Sequence, residues 1–186
     1  MPLKCGTNNR LLRQELDKIT DLYSGDRVAE QIRAIRDLAP KYHHSISLVQ
    51  EMIPTGPENL RSNCYRHAFS LLDVRSVDEI IEEHPYITPG RDFARFLIDS
   101  RLEDREIQDT TNGDLIVYCS GDEIEHVGKL SLAAIESKWG KAHVWNHGIY
   151  EVPLRYGDTV RFFQRISQDV AAQAFLEYAR TRGANL

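Results

Sequence analysis

Residues 113–131 read GDLIVYCSGDEIEHVGKLS, and the contrast between this stretch and everything before it decides the fold class. Upstream, apolar residues recur at helical spacing, with Leu12, Leu16 and Ile19 forming one stripe and Val28, Ile32, Ile35 and Leu38 another. From Gly113 onward the pattern shortens into compact runs. DLIVYCS, EHVGKLSL and AAIESKW follow one another, separated by Gly, Asp and small polar residues, as successive strands would be. Helices first and sheet second predicts an α+β arrangement of helices on a small antiparallel sheet, rather than the βαβ alternation of a doubly wound fold.

The remaining segments fit that order. YSGD breaks the two N-terminal helices apart, and Pro40 ends the second. HSISLVQEMIPTGPENL then reads as extended chain and loop, punctuated by Pro54, Gly56 and Pro57. Ser76 and Glu79 have capping-box spacing, and Thr88 with Pro89 offers a second helix start. HVWNHGIYEV reads as strand or irregular chain, TVRFFQRI as a strand of alternating bulk, and a last helix runs from about Ser167 through Val170, Ala171, Ala174, Phe175 and Tyr178. The expected division is a helical extension over residues 1–45 and a main domain over 46–186.

Composition narrows the function. The chain has 186 residues, enough for one substantial core, and a formal net charge of −5, which argues against nucleic-acid binding as the main activity. The opening residues MPLKCGTNNR lack a signal peptide's apolar core, and no apolar run approaches membrane-spanning length. A cytosolic chain is therefore expected, with any export using a route that reads no such signal. Cys5, Cys64 and Cys119 are an odd number without paired spacing, which suggests neither a disulfide framework nor a zinc site.

Chemistry concentrates around RSNCYRHAF, residues 61–69. Asn63 would cap a helix whose first residue is Cys64, and the free N–H groups and dipole at such an end stabilise a thiolate, lowering the thiol pKa. The alternative is a small apolar residue buried where a helix begins. A thiolate nucleophile needs a base, and His126 at the start of a strand is the best placed of the seven histidines. His67 shares the Cys64 helix face and is read as packing or charge tuning. If HVWNH is extended, His143, Trp145 and His147 share a face. Two histidines there suggest an imidazole supporting the base, or a metal site that lacks a third ligand of convincing spacing. Trp139 and Trp145 are candidates for a substrate groove or for ordinary core packing.

NCYRHAF on a helix, then GDLIVY and HVG on successive strands, resembles the papain-like hydrolases of the NlpC and CHAP superfamily, over roughly residues 60 to 166. SKWGKAHVWNHGIYEVPLRYG is similar to a less-studied branch with a Ser-Lys-Trp-Gly segment ahead of a histidine and a Val-Pro and Tyr-Gly pair. The resemblance implies a papain-like core, no cofactor, and cleavage of an amide bond in a peptidoglycan peptide or related isopeptide. It makes Cys64 the nucleophile and His126 the base. The third residue stays open between His147, the better chemical partner, and Ser137 or Lys138 at the usual strand position. Asn63, Ser137, Trp139 and Trp145 are the expected substrate contacts. Tyr65 and Arg66 replace the Ser-Gly that often follows the cysteine, which changes the floor of the groove. An acyltransferase or deamidase effector on the same dyad, or a non-catalytic peptide-binding module, would carry the same residues. Expected partners are a peptide or peptidoglycan fragment and a protein inhibitor or immunity partner.

Overall fold

The computed structural model describes residues 3–4, 7–20, 28–51, 62–102, 106, 111–132, 134–140 and 143–185. Strands β1 (Leu3–Lys4), β2 (Ser47–Gln50), β3 (Leu115–Ser120), β4 (Glu123–Ser131), β5 (Ala134–Lys138), β6 (Val144–His147) and β7 (Thr159–Phe163) form one antiparallel sheet in the order β1-β7-β3-β4-β5-β6-β2. The β3–β4 hairpin turns through Gly121, whose φ of +60° is the left-handed geometry that glycine adopts without strain.

Period-two alternation gives the sheet two buried faces. Val117 pairs with Val127 on one, and the next pair, Tyr118 with His126, falls on the other. The Val117 face is covered by α3 (Cys64–Ala68), α4 (Arg75–Glu83), α5 (Arg91–Leu97), a π-helical turn over Ile98–Leu102, and α6 (Gln168–Thr181). Phe93 lies in this cluster, edge-on to Phe69 at 5.8 Å and to Phe175 at 5.2 Å. The Tyr118 face is covered by α1 (Thr7–Thr20), α2 (Val28–Tyr42) and a 3₁₀ turn over Leu154–Tyr156. Leu12, Leu16 and Ile35 here join Ile116, Tyr118, Trp139 and Trp145 in one cluster.

The segment expected as an extension is therefore built into the sheet. Leu3 pairs with Val160 at one edge, and the apolar stripe of α1 is part of the second cluster rather than a core of its own. Just beyond residue 45, the stretch expected as extended chain and loop contains β2, which pairs with β6.

Two helix starts differ from the sequence reading. The N-cap of α4 is Val74 and that of α5 is Gly90, neither with a side-chain cap bond, so Ser76 falls inside α4 and Thr88 lies before α5. Burial of Val77, Ile80 and Ile81 sets the phase of α4, outweighing a cap worth about 1 kcal/mol. Ser167 does cap α6, accepting from the Val170 N–H. Among the described residues no helix is long and apolar enough to cross a membrane.

Candidate functional site

Helix α3 is only five residues long. Asn63 precedes it in extended conformation, accepts the Arg66 N–H at 2.9 Å and donates from its amide to the Pro89 carbonyl at 2.9 Å. The side chain expected to touch substrate is thus engaged as a cap and as a tie to the loop before α5. Arg66, 2 % exposed, ends the helix by donating to the Leu71 and Leu72 carbonyls and to Asp78 at 2.7 Å.

Cys64 is buried in the first cluster. The backbone N–H groups of Val127, Tyr65 and Cys64 itself favour its thiolate, and so does the charge of Lys138, yet burial dominates and pushes the thiol up to about 12. The lowered pKa expected from the helix start is therefore reversed. Five residues generate little dipole, and desolvation of a buried thiolate is the larger effect.

Lys138 is 1 % exposed on β5, and burial lowers its ammonium to about 8 against the opposing pull of Cys64. The same side of β5 carries Glu136, which accepts from His67 Nε2 at 3.1 Å; that hydrogen bond holds the carboxyl below its ordinary range. Lys129, paired with Glu136 across the sheet, donates to Ser70 at 2.8 Å. These contacts fix α3 against β4 and β5.

His126 is 1 % exposed, and alternation turns its ring away from this cluster toward the second face. It stacks on Tyr156 with centroids 4.0 Å apart and planes 6° from parallel, and lies 5.7 Å from the Tyr118 ring. Neither ring nitrogen has a hydrogen-bond partner among the described residues, Cys64 included. Burial, reinforced by His147 and His67, holds the imidazole well below its ordinary pKa, so it is neutral near pH 7. What links it to the sulfur is the chain itself: the N–H that reaches Cys64 belongs to Val127, the next residue.

His147 does not orient His126. Its Nδ1 donates to the Gly148 carbonyl at 2.8 Å, which leaves Nε2 to accept the Ser137 hydroxyl at 2.8 Å. Ser137 in turn accepts from Trp139 Nε1 at 3.0 Å, so the buried chain runs from Trp139 through Ser137 and His147 to a backbone carbonyl. Burial lowers His147 to about 4. Trp139 and Trp145 are 1 % and 2 % exposed with centroids 5.6 Å apart, so both are core rather than groove, for they have almost no surface to offer a substrate.

His143 shares the Trp145 neighbourhood as the period-two reading expects, edge-on at 5.7 Å. No group of three or more His, Cys, Asp and Glu side chains suited to a metal ion occurs among the described residues. Cys5 lies outside the described residues; Cys64 and Cys119 are free and buried. Sequence reasoning missed Tyr156 and Arg13. The first is signalled only by its place between Pro153 and Gly157, the second by a charge inside the apolar stripe of α1. Comparison with protein-family models, with curated proteins and with solved structures gives no match.

Proposed function

We propose that this chain is a cysteine hydrolase of amide bonds, with Cys64 as nucleophile and His126 as base, on the papain-like core that its sequence resembles. The observation that carries this reading is the setting of one sulfur. Backbone N–H groups from α3 and β4 and the Lys138 ammonium all favour its thiolate, and the next residue along β4 is a neutral imidazole with no hydrogen-bond partner among the described residues.

In the proposed reaction His126 takes the Cys64 proton and the sulfur attacks the amide carbonyl carbon. The oxygen that becomes negative is met by backbone N–H donors at the start of α3, and His126 returns the proton to the departing amine. Water then attacks the thioester, releasing the carboxylate and restoring the thiol. The resting thiol, held near 12, is protonated, so the imidazole must reach the sulfur and take its proton before attack. Catalytic hydrogen bonds commonly tighten only at that stage.

The substrate class proposed is a peptidoglycan peptide or a related isopeptide. The test is incubation with defined peptidoglycan fragments and, separately, with a cell proteome, the products being read by mass spectrometry. The expected product is an amide cleaved with addition of water, absent with Cys64→Ser. Full activity in Cys64→Ser would end the reading, and transfer of the acyl group to an amine would replace hydrolysis by acyl transfer.

A further inference from the structure

We infer that Arg13, Tyr118 and His126, brought together beneath α1 and the 3₁₀ turn, form a binding site for a small oxyanion, a carboxylate or a phosphate. The site lies on the sheet face opposite Cys64 and does not depend on the proposed hydrolysis, although it shares His126 with it.

The charge of Arg13 is the first observation. The side chain is fully buried on α1, and among the described residues no carboxylate lies within ion-pair distance of it. Asp17, one turn further along α1, is engaged by Arg155 instead. Nε donates to the Val152 carbonyl at 3.1 Å, and Nη2 to Pro153 at 3.3 Å and also to Gly157. These carbonyls meet the guanidinium with dipoles, not with a negative charge, and a cation so enclosed is stabilised by a counter-ion. Nη1 has no hydrogen-bond partner among the described residues.

The second observation is that two more buried groups in the same place have hydrogen bonds left to make. Tyr118 and His126 pair across β3 and β4 with their rings 5.7 Å apart, and the Tyr118 hydroxyl feels the Arg13 charge. Tyr118 is fully buried and His126 is 1 % exposed. Neither the Tyr118 hydroxyl nor either nitrogen of His126 has a partner among the described residues. Buried polar atoms left in this way are rare in folded proteins, and their gathering around one buried cation marks a site rather than a packing defect. Nη1–H, the phenol O–H and one imidazole N–H are all donors, which suits a ligand that only accepts, and the guanidinium gives that ligand its sign. The Tyr156 ring stacked on His126 at 4.0 Å and the Tyr150 ring 6.0 Å from the guanidinium form aromatic walls, and the close spacing of the rings limits the ligand to a few atoms.

The experiment measures the thermal midpoint of the full chain at pH 7 in increasing sodium phosphate, sodium acetate or sodium chloride at matched ionic strength. Samples stand overnight so that an ion entering beneath α1 reaches equilibrium. Phosphate or acetate should raise the midpoint along a saturating curve, as a ligand of the folded state does, and chloride should not; which of the two acts identifies the oxyanion. Tyr118→Phe removes one hydroxyl and should weaken the apparent affinity about tenfold or more, the worth of a hydrogen bond to a charged group. Arg13→Gln should abolish the saturating rise, whereas Arg75→Gln, on the exposed side of α4, should match wild type. Cys64→Ser should also match wild type, so a failure of the hydrolase reading in product analysis leaves this titration untouched. Equal midpoints in all three salts would overturn the inference, and so would a rise that is linear or undiminished in Tyr118→Phe, for that is a general salt effect or binding elsewhere. Should Arg13→Gln not fold, Tyr118→Phe decides: wild-type affinity there overturns the inference.

Discussion

On the face of the sheet covered by α3 to α6, buried polar groups are tied across elements to carboxylates, as Arg66 is to Asp78 at 2.7 Å and His67 to Glu136 at 3.1 Å. On the face covered by α1 and α2 the histidines His126 and His147 are fully enclosed and neutral. His126 is held by stacking, and His147 by one hydroxyl and one carbonyl. The difference follows from exposure. Asp78 and Glu136 keep 38 % and 27 % of their side chains in solvent, so those charges cost little, whereas an imidazolium enclosed at His126 or His147 would lose nearly all its hydration. The two faces thus divide the chemistry. One holds a thiol with charge beside it, the other an imidazole that stays uncharged, and they meet at adjacent residues of β4.

The strongest way to break this comparison is Trp139→Ala. As a core residue bonded to Ser137, its loss should cost about 3–5 kcal/mol in denaturant unfolding, on a par with Phe93→Ala across the sheet. An unchanged midpoint would make the second face a groove instead of a core.

Acid sharpens the same contrast. Unfolded, His126 and His147 bind protons near 6.5, while the folded chain refuses them until well below 6.5 and until about 4 respectively. Stability should therefore fall as pH drops from about 6.5 toward about 4. His147→Gln should flatten that slope in unfolding titrations, and a slope left unchanged would mean that His147 is not buried neutral. At alkaline pH the thiol face responds. Cys64, raised from 9.0 to about 12, withdraws stability as pH rises through that window, while Lys138, lowered from 10.5 to about 8, adds it between those values. Cys64→Ser should remove the first effect and leave the second.

The smallest expected change is Asn63→Ala, about 1 kcal/mol for a lost cap, read as a shift in the denaturant midpoint. A loss several times larger would mean that the tie to Pro89, not the cap, holds α3 in place.

Elements whose signal is local were legible. The hairpin around Gly121 was marked by its runs of β-branched residues and a Gly-Asp pair, and α6 by Ser167 and its apolar period. Elements decided by long-range burial were not. The start of α4 follows Val77 and Ile80 instead of Ser76, and β2 exists because β6 pairs with it. The candidate site splits the same way. Asn63 and Cys64 could be placed at a helix start from adjacent letters, but the pKa of the thiol depends on burial that no short motif encodes. His147 could be put on one face with Trp145, yet only the register between β5 and β6, which sets Ile135 opposite His147, brings Ser137 within its reach. That bond takes the nitrogen an orienting partner would need.

Cys64 and Cys119 are both buried thiols raised by desolvation, one reached by the N–H of Val127, the residue after His126, and near Lys138, the other at the far end of β3. Competitive alkylation of the folded chain at neutral pH, with each peptide quantified in wild type and in His126→Ala, therefore tests the central claim most directly. The account predicts that Cys64 is modified well ahead of Cys119 in wild type and that His126→Ala erases the lead. Labelling of Cys119 first, or a Cys64 lead that survives the loss of His126, would contradict it.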